Sequence, residues 1–281
     1  MHTCTCMQVQ VSRGTQSKRG NLVAFTLMSF RRFLHSIQQS LGFSWSFLIY
    51  YGLPFHHQAL TRIYAPFIRQ GDLCFDIGAH LGDRVRAWSR LGASVIALEP
   101  HPGMMNWLRR WYGHQPNVTL IEQAVGAQPG ETTLWVSHLT PSVSTISTDW
   151  LKTVQKNRRF AGVRWDEQVP VTATTLDALI SQYGKPAFCK IDVEGAELDV
   201  LQGLSQAIRA LSFEYIPAKI DTALGCIDRL DRLGHYEYNW RVSEFPRLRS
   251  PVWLNSAEMI TALTRMTQDD NSGDVYACLK A

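Results

Sequence analysis

From residue 72 onward, short apolar runs alternate with segments of helical length, and this alternation constrains the fold more than any other feature of the chain. "LCFDIG" (73–78) predicts a buried strand, and "LGDRVRAWSRLG" a helix stopped at Gly92. "SVIALEP" predicts a strand stopped by Pro100, "MMNWLRRWYG" a helix and "NVTLIEQAVG" a strand. Apolar runs of this length between helices specify βαβ units around a parallel sheet. The rhythm then breaks. "ETTLWVS" reads as a short extra strand after the Pro129-Gly130 turn, and residues 138–166 as a polar and then basic loop region. It resumes with "QVPVTATTLDALI", where Thr174 and Asp177 have capping-box spacing. A strand ("AFCKIDVEG"), a helix ("AELDVLQGL") and a strand ("ALSFEYI") follow, then a helix over about 221–233. "YEYNWRVSE", "SAEMITALTRM" and "DVYACLK" read as strand, helix and strand. One α/β layer structure with about seven strands accounts for all of this.

The region before the rhythm differs in charge. Residues 1–71 hold seven Lys/Arg and no Asp or Glu, which leaves twenty-one basic against twenty-four acidic residues in the remainder. A basic, acid-free front suits an anionic surface or partner, or a targeting segment. No recognition motif accompanies it and the body is mildly acidic, so nucleic-acid binding is not expected. The most apolar stretch, Leu41–Phe55, is short for a membrane span and is interrupted by Gly42, Gly52 and Pro54. Residues 1–27 share the acid-poor, Arg- and Ser-containing character of a mitochondrial transit peptide, but read better as a disordered or over-long start ahead of Met28. Residues 28–41 have helical apolar spacing, which fits a membrane-surface helix or, better, an amphipathic helix packed on the main domain. A second helical piece is expected over 57–69. Six cysteines without a CxxC pair give no zinc or thioredoxin-like pattern; three lie in strand-like runs, and a reducing, cytoplasmic compartment is expected.

In an open parallel sheet the ligand lies beyond the carboxyl ends of the strands. Asp76 ends the first strand, with Gly78 and Gly82 following in D-x-G-x-x-x-G spacing. Glycine lets backbone N–H groups approach a ligand closely. Glu99 ends the second strand, where a carboxylate can accept from both hydroxyls of a ribose. An anion at Asp76 would repel a pyrophosphate but suits an ammonium or sulfonium group. That favours S-adenosylmethionine over a nicotinamide dinucleotide, with an NAD(P)-dependent oxidoreductase and a non-catalytic cofactor-binding scaffold as the alternatives.

"FDIGAHLGD", "ALEP", "AVG", "TTLDAL", "KIDVEGAELDVLQGL" and "LSFEYIP" follow one another as in the FkbM family of S-adenosylmethionine-dependent methyltransferases, which residues 70–245 resemble. The resemblance implies the class I methyltransferase fold: a Rossmann-like, mostly parallel seven-stranded sheet with an antiparallel last strand, here preceded by N-terminal helices. Together with the reading along the chain, domain limits of 1–27 (disordered start), 28–70 (helical segment) and 71–281 (methyltransferase domain) are expected. The resemblance also implies O-methylation of a sugar, glycan or natural-product hydroxyl. By position, Asp76, Gly78, Ala79, His80 and Gly82 would hold the amino-acid end of the cofactor. Glu99 and Pro100 would meet the ribose, Gln123 and Ala124 the adenine, and Asp192 the transferred methyl. His80 stands where the family often has asparagine, and reads as a hydrogen-bonded turn residue rather than a catalyst.

In "KIDVEG", strand alternation puts Lys190, Asp192 and Glu194 on one face, and Glu214 ends the neighbouring strand. Three carboxylates beside one lysine read in two ways. One is structural: a Lys190–Glu214 ion pair, with Glu194 at the next helix's N-terminus. The other is catalytic, with Asp192 first and Glu194 and Glu214 behind it, orienting the acceptor hydroxyl and taking its proton late. No metal ligand set is assigned, although hard divalent cations choose carboxylates. "TPSVSTIST", Arg158 and Arg159 in the 138–166 region read either as lining for the acceptor or as solvated loop. Trp45–Phe55 reads as core packing or as a roof over the acceptor.

Overall fold

The computed structural model describes residues 56–155, 157, 160, 162–243 and 247–280. The expectations for 1–55 and for Arg158 and Arg159 lie outside these residues. Eight helices of α type occur among them: α1 (His56–Tyr64), α2 (Asp83–Arg90), α3 (Pro102–Tyr112), α4 (Thr148–Val154), α5 (Leu176–Tyr183), α6 (Glu197–Gln202), α7 (Ile220–Asp231) and α8 (Ser256–Thr264). The strands are β1 (Leu73–Ile77), β2 (Ser94–Leu98), β3 (Val118–Ile121), β4 (Ala124–Val125), β5 (Gly130–Val136), β6 (Glu167–Thr174), β7 (Phe188–Ile191), β8 (Ala210–Tyr215), β9 (Tyr236–Trp240) and β10 (Gly273–Leu279).

Seven strands form the main sheet in the order β3-β2-β1-β7-β8-β10-β9. All neighbouring pairs are parallel except those of β10, which is antiparallel to both β8 and β9. The chain walks outward from β1 to β3 and then returns to β7 at the other side of β1. The order therefore reverses between β1 and β7, which opens a crevice at their carboxyl ends. The closing strands are neighbours but not a hairpin: β10 inserts between β8 and β9 after the chain has passed through α8.

Strand alternation sorts the core into two layers. Phe75, Ile77, Cys189, Ile191, Leu211 and Phe213 face α5, α6, α7 and α8. Cys74, Val95, Ala97, Phe188, Ala210 and Tyr276 face α1, α2 and α3, where Tyr64, Trp88 and Phe67 complete an aromatic cluster. Helix starts follow local chemistry. At α3, Pro102 takes the first turn, and His101 Nδ1 accepts the Gly103 N–H at 3.0 Å. At α5 the cap is Thr175, whose hydroxyl accepts the Ala178 N–H at 3.1 Å, one residue later than the expected Thr174. Asp177 closes no capping box, because its carboxylate accepts the Ser205 N–H at 3.0 Å.

Two departures concern the middle of the chain. "NVTLIEQAVG" divides into β3 and β4, and β4, β6 and β5 form a separate three-stranded sheet, with β5 and β6 antiparallel over seven residue pairs. Residues 138–166 carry a turn of 3₁₀ helix (Pro141–Val143), then α4, and a small core of Trp150, Leu151 and Val154 packed by Trp135, Phe160, Trp165 and Ile216. The hydroxyls of this stretch obscured in sequence the aromatic residues that fold it.

Candidate active site

The crevice at the β1/β7 reversal is lined by Gly78, His80 and Arg84 from the β1–α2 connection and by Glu99, Pro100 and Met104 after β2. Ala124, Val125 and Leu134 come from the side sheet, Pro141–Ile146 from the 3₁₀ turn and its surroundings, and Asp192–Glu194 from the end of β7. Of the sequence candidates, Gly78, His80, Glu99, Pro100, Ala124, Asp192 and Glu194 are thus brought together. Asp76, Ala79, Gly82, Gln123 and Glu214 stand outside this lining.

The two glycines serve the protein's own packing. Gly78 has φ +83°, and a Cβ there would lie 1.9 Å from the carbonyl oxygen of Asp192. Its missing side chain is what lets the ends of β1 and β7 touch. Gly82 has φ +89° at the start of α2, and a Cβ there would lie 2.4 Å from the Tyr112 ring. Gln123 turns its amide to the Thr172 hydroxyl at 3.3 Å.

Glu99 is buried, and both of its oxygens accept backbone N–H groups: Oε2 from His80 at 2.8 Å and Oε1 from His101 at 2.9 Å. It therefore clamps the β1–α2 turn to the end of β2. His80 sits in that turn at φ +50°. Burial pushes the Glu99 carboxyl up to about 7 despite these bonds, and lowers the His80 imidazole to about 4. Asp76 is fully buried, and neither carboxylate oxygen has a hydrogen-bond partner among the described residues. Desolvation raises it to about 7, against the pull of Arg84 and Lys190.

At the other rim, strand geometry ends at Ile191, so alternation holds for Lys190 and Asp192 but not for Glu194, which lies at φ +54°. The expected Lys190–Glu214 pair is replaced. Lys190 Nζ lies 3.1 Å from Asp192 Oδ2 and 2.8 Å from Asp274 Oδ1, a partner that reaches it across β8. The residue that secures the turn before α6 is Glu197, which accepts the N–H groups of Val193 and Gly195 at 3.1 Å each, and not Glu194. The Glu194 carbonyl accepts the Thr145 hydroxyl at 2.7 Å, which ties the 3₁₀ region to the end of β7. Carboxylate oxygens of Asp192, Glu194 and Glu214 all lie within 4.8 Å of one another, a spacing suited to a divalent cation. Burial first, and the neighbouring carboxylates second, hold Glu194 and Glu214 well above the usual carboxylate range. Arg84 is the residue that motif spacing missed. It brings a cation into the acidic crevice, 3.9 Å from Asp192 Oδ2, and nothing in the glycine pattern marks it.

The strand order, with β10 antiparallel between β8 and β9, is that of the class I methyltransferase fold, and the crevice lies where that fold places its ligand. The Methyltransferase FkbM domain family matches residues 76–230, more than half of the chain, and the chain belongs to that family. It is similar to the hexuronic acid methyltransferase AglP of Haloferax volcanii, at 25% identity over 161 residues that cover 56% of this chain and 59% of that protein. The matched region thus spans little more than half the length of that relative. Among solved structures, the chain is similar to a precorrin-6y C5,15-methyltransferase from Geobacter metallireducens (TM-score 0.41, 12% identity, covering 80% of this chain and 87% of that one). It is also similar to a TehB-like SAM-dependent methyltransferase from Corynebacterium glutamicum (TM-score 0.43, 11% identity, covering 87% and 99%). No helix among the described residues is long and apolar enough to cross a membrane.

Proposed function

We propose that the protein transfers the methyl group of S-adenosylmethionine to a hydroxyl of a sugar, glycan or natural-product small molecule. The observation that carries this reading is the meeting, at one sheet reversal, of the Gly78–His80 turn, buried Glu99 and the acidic rim of Asp192 and Glu194. The chemistry of the site fits the cofactor. Glu99 keeps lone pairs for ribose hydroxyls beyond its two backbone bonds, and Asp76 holds two buried oxygens with no hydrogen-bond partner among the described residues, two positions before Gly78. Gly78, Ala79, His80 and Gly82 with Asp76 would hold the amino-acid end, Glu99 and Pro100 the ribose, and Gln123 and Ala124 the adenine side. Bound there, the cofactor supplies an electrophilic methyl on a sulfonium.

The chain's own residues then have three tasks. The first is placement: holding nucleophile and electrophile in line can supply about 7–11 kcal/mol of the barrier. Asp192 sits where it can accept a hydrogen bond from the acceptor hydroxyl and take its proton as the new bond forms, with Glu194 and Glu214 nearby. The second is neutralisation, since Lys190 and Arg84 keep the carboxylate rim from repelling an oxygen nucleophile. The third is water exclusion, for which the Pro141–Ile146 stretch provides a wall. A divalent cation at Asp192, Glu194 and Glu214 is compatible with the oxygen spacing, and the proposed proton transfer assigns it no step. A uronic acid is one candidate acceptor, on the printed name of the Haloferax relative. We further place the protein in a reducing compartment such as the cytoplasm, in keeping with the four free cysteines among the described residues, and assign it no nucleic-acid partner. Contact with an anionic surface through the basic residues before 72 belongs to the same proposal.

The test has two arms. S-adenosylhomocysteine at a hundred times its Kd should stabilise the protein by about 2.7 kcal/mol, and NAD by nothing measurable. Incubation with methyl-labelled S-adenosylmethionine and a cell extract should label a base-stable small molecule or glycan. Stabilisation by NAD alone, or ligand binding with no label transferred, would remove the reading.

A further inference from the structure

A line of alternating charge leads from the crevice across the sheet. Arg84 Nη2 lies 3.9 Å from Asp192 Oδ2, and Lys190 Nζ lies 3.1 Å from the same oxygen. Lys190 Nζ also lies 2.8 Å from Asp274 Oδ1, and Arg241 Nη2 lies 2.6 Å from Asp274 Oδ2. Lys190 is 0% and Arg241 1% exposed, so the inner links are dry. Tyr276, stacked on Phe67 and under the Arg241 guanidinium, shields them on the α1 side. The family match ends at residue 230, so both residues lie outside it: Asp274 on β10, and Arg241 immediately after β9.

Stability alone is a poor reason for this arrangement. β10, which carries Asp274, and β9, which Arg241 follows, are already held by backbone ladders, six residue pairs between β10 and β8 and five between β10 and β9. Buried ion pairs contribute little beyond what apolar side chains of the same volume would. The line also ends on the carboxylate that faces the crevice. We propose that Asp274 and Arg241 are positioning residues: they set how far the Lys190 ammonium leans toward Asp192, and so fix the orientation of that carboxylate at the methyl-transfer site. Arg241 occupies one oxygen of Asp274, which leaves Lys190 shared between Asp274 and Asp192 rather than drawn wholly to Asp274. This inference rests on the methyltransferase role proposed above for Asp192.

The groups facing Asp192 are the cations Arg84 and Lys190, the carboxylates of Asp76, Glu99, Glu194, Glu197 and Glu214, and His80. Asp274 faces Lys190, Arg241 and Arg84. Removing either distant charge therefore changes the field on the whole carboxylate group, with opposite sign for the two residues. The experiment compares wild type, Arg241→Met, Arg241→Lys, Asp274→Asn and the double variant Arg241→Met/Asp274→Asn. It uses labelled S-adenosylmethionine and the extract fraction that wild type methylates. Arg241→Met should lower kcat roughly tenfold near neutral pH and move the acid limb of the kcat profile upward by roughly half a pH unit. Asp274→Asn should move that limb downward, and the double variant should return it close to wild type. Arg241→Lys should stay within about twofold, and the KM for the donor should hold in all four. Crystal structures supply a readout independent of turnover: Lys190 Nζ should draw away from Asp192 in Arg241→Met. If wild type methylates nothing, the functional reading fails, and the crystal structures alone decide the positioning. Limbs that shift in the same direction in both single variants, or an unmoved Lys190 in Arg241→Met, would overturn it.

Discussion

The two rims of the crevice hold their carboxylates by different means. On the β1/β2 side, Glu99 is secured by backbone N–H groups, and among the described residues its carboxylate forms no ion pair. On the β7/β10 side, Asp192 and Asp274 are secured by Lys190, Arg84 and Arg241. The outcome for protonation differs accordingly. Glu99 is pushed up to about 7 by desolvation, whereas the two cations around Asp274 hold it far below the usual carboxylate range even though it is just as deeply placed. At Glu99 the two backbone N–H bonds do not offset desolvation, whereas at Asp274 the paired cations do. A rim of the first kind suits the recognition of a cationic ligand that brings its own charge. One of the second kind suits a carboxylate that must remain oriented through a reaction.

The largest expected effect breaks the second rim. Asp192→Asn removes the proposed acceptor of the substrate proton and one anchor of Lys190. It should lower kcat by roughly 10²–10⁴-fold while S-adenosylhomocysteine affinity, read by calorimetry, stays within a few-fold. Full turnover in this variant would move the proton acceptor elsewhere in the acidic group.

Next comes the wall that joins the two rims. Trp150 is fully buried, and its ring fills the space that a side chain at Gly195 would occupy, beside the turn that carries Glu194. Trp150→Ala should cost about 3 kcal/mol of stability in denaturant unfolding, with a rise in the acceptor KM as the Pro141–Ile146 stretch loosens. An unchanged unfolding midpoint would mean that this small core folds independently of the sheet.

The smallest effect sharpens the first rim, through pH. Asp76, Glu99 and Glu197 ionise near 7 in the folded chain and near 4 when unfolded, so the folded state keeps protons that the unfolded state has lost. Their contribution is complete below about pH 4 and is lost as pH rises through 7. His80 and His101, lowered to about 4, work in the opposite direction, but only between about 4 and 6.5. Above 6.5 the carboxylates act alone, and the ligand-free protein should lose stability toward pH 8. Glu99→Gln should flatten that fall by about 1 kcal/mol in urea titrations at pH 6.5 and 8. An equal slope in the variant would show that Glu99 is already ionised at the lower pH.

The same contrast explains what could be read from the sequence. The β1–α2–β2–α3–β3 rhythm, and acids placed at the ends of β1, β2, β7 and β8, are local patterns, and Asp76, Glu99, Asp192 and Glu214 fall where strand endings put them. Contacts set by topology are not local. For Lys190, one of the two readings is an ion pair with Glu214 on the neighbouring strand. Its actual partner, Asp274, arrives on a strand 84 positions later that inserts antiparallel beside β8. The glycines of "FDIGAHLGD" are legible as special, and the close approaches that the structure shows at them are to the Asp192 backbone and the Tyr112 ring, both remote in sequence. Residues 138–166 read as loop because a Ser/Thr cluster is followed by a basic one. Two tryptophans of the stretch itself, Trp150 and Trp165, meet each other and Trp135 of β5 only in space.

The central claim is that the rim containing Glu99 receives an adenosyl ligand while Asp192 faces its reactive end. A crystal structure with S-adenosylhomocysteine tests it most directly. The account predicts both ribose hydroxyls on the Glu99 carboxylate, the amino-acid end along Gly78–His80, and the sulfur turned toward Asp192. A ligand-saturated crystal whose crevice is empty, or whose adenosine lies away from Glu99, would contradict it.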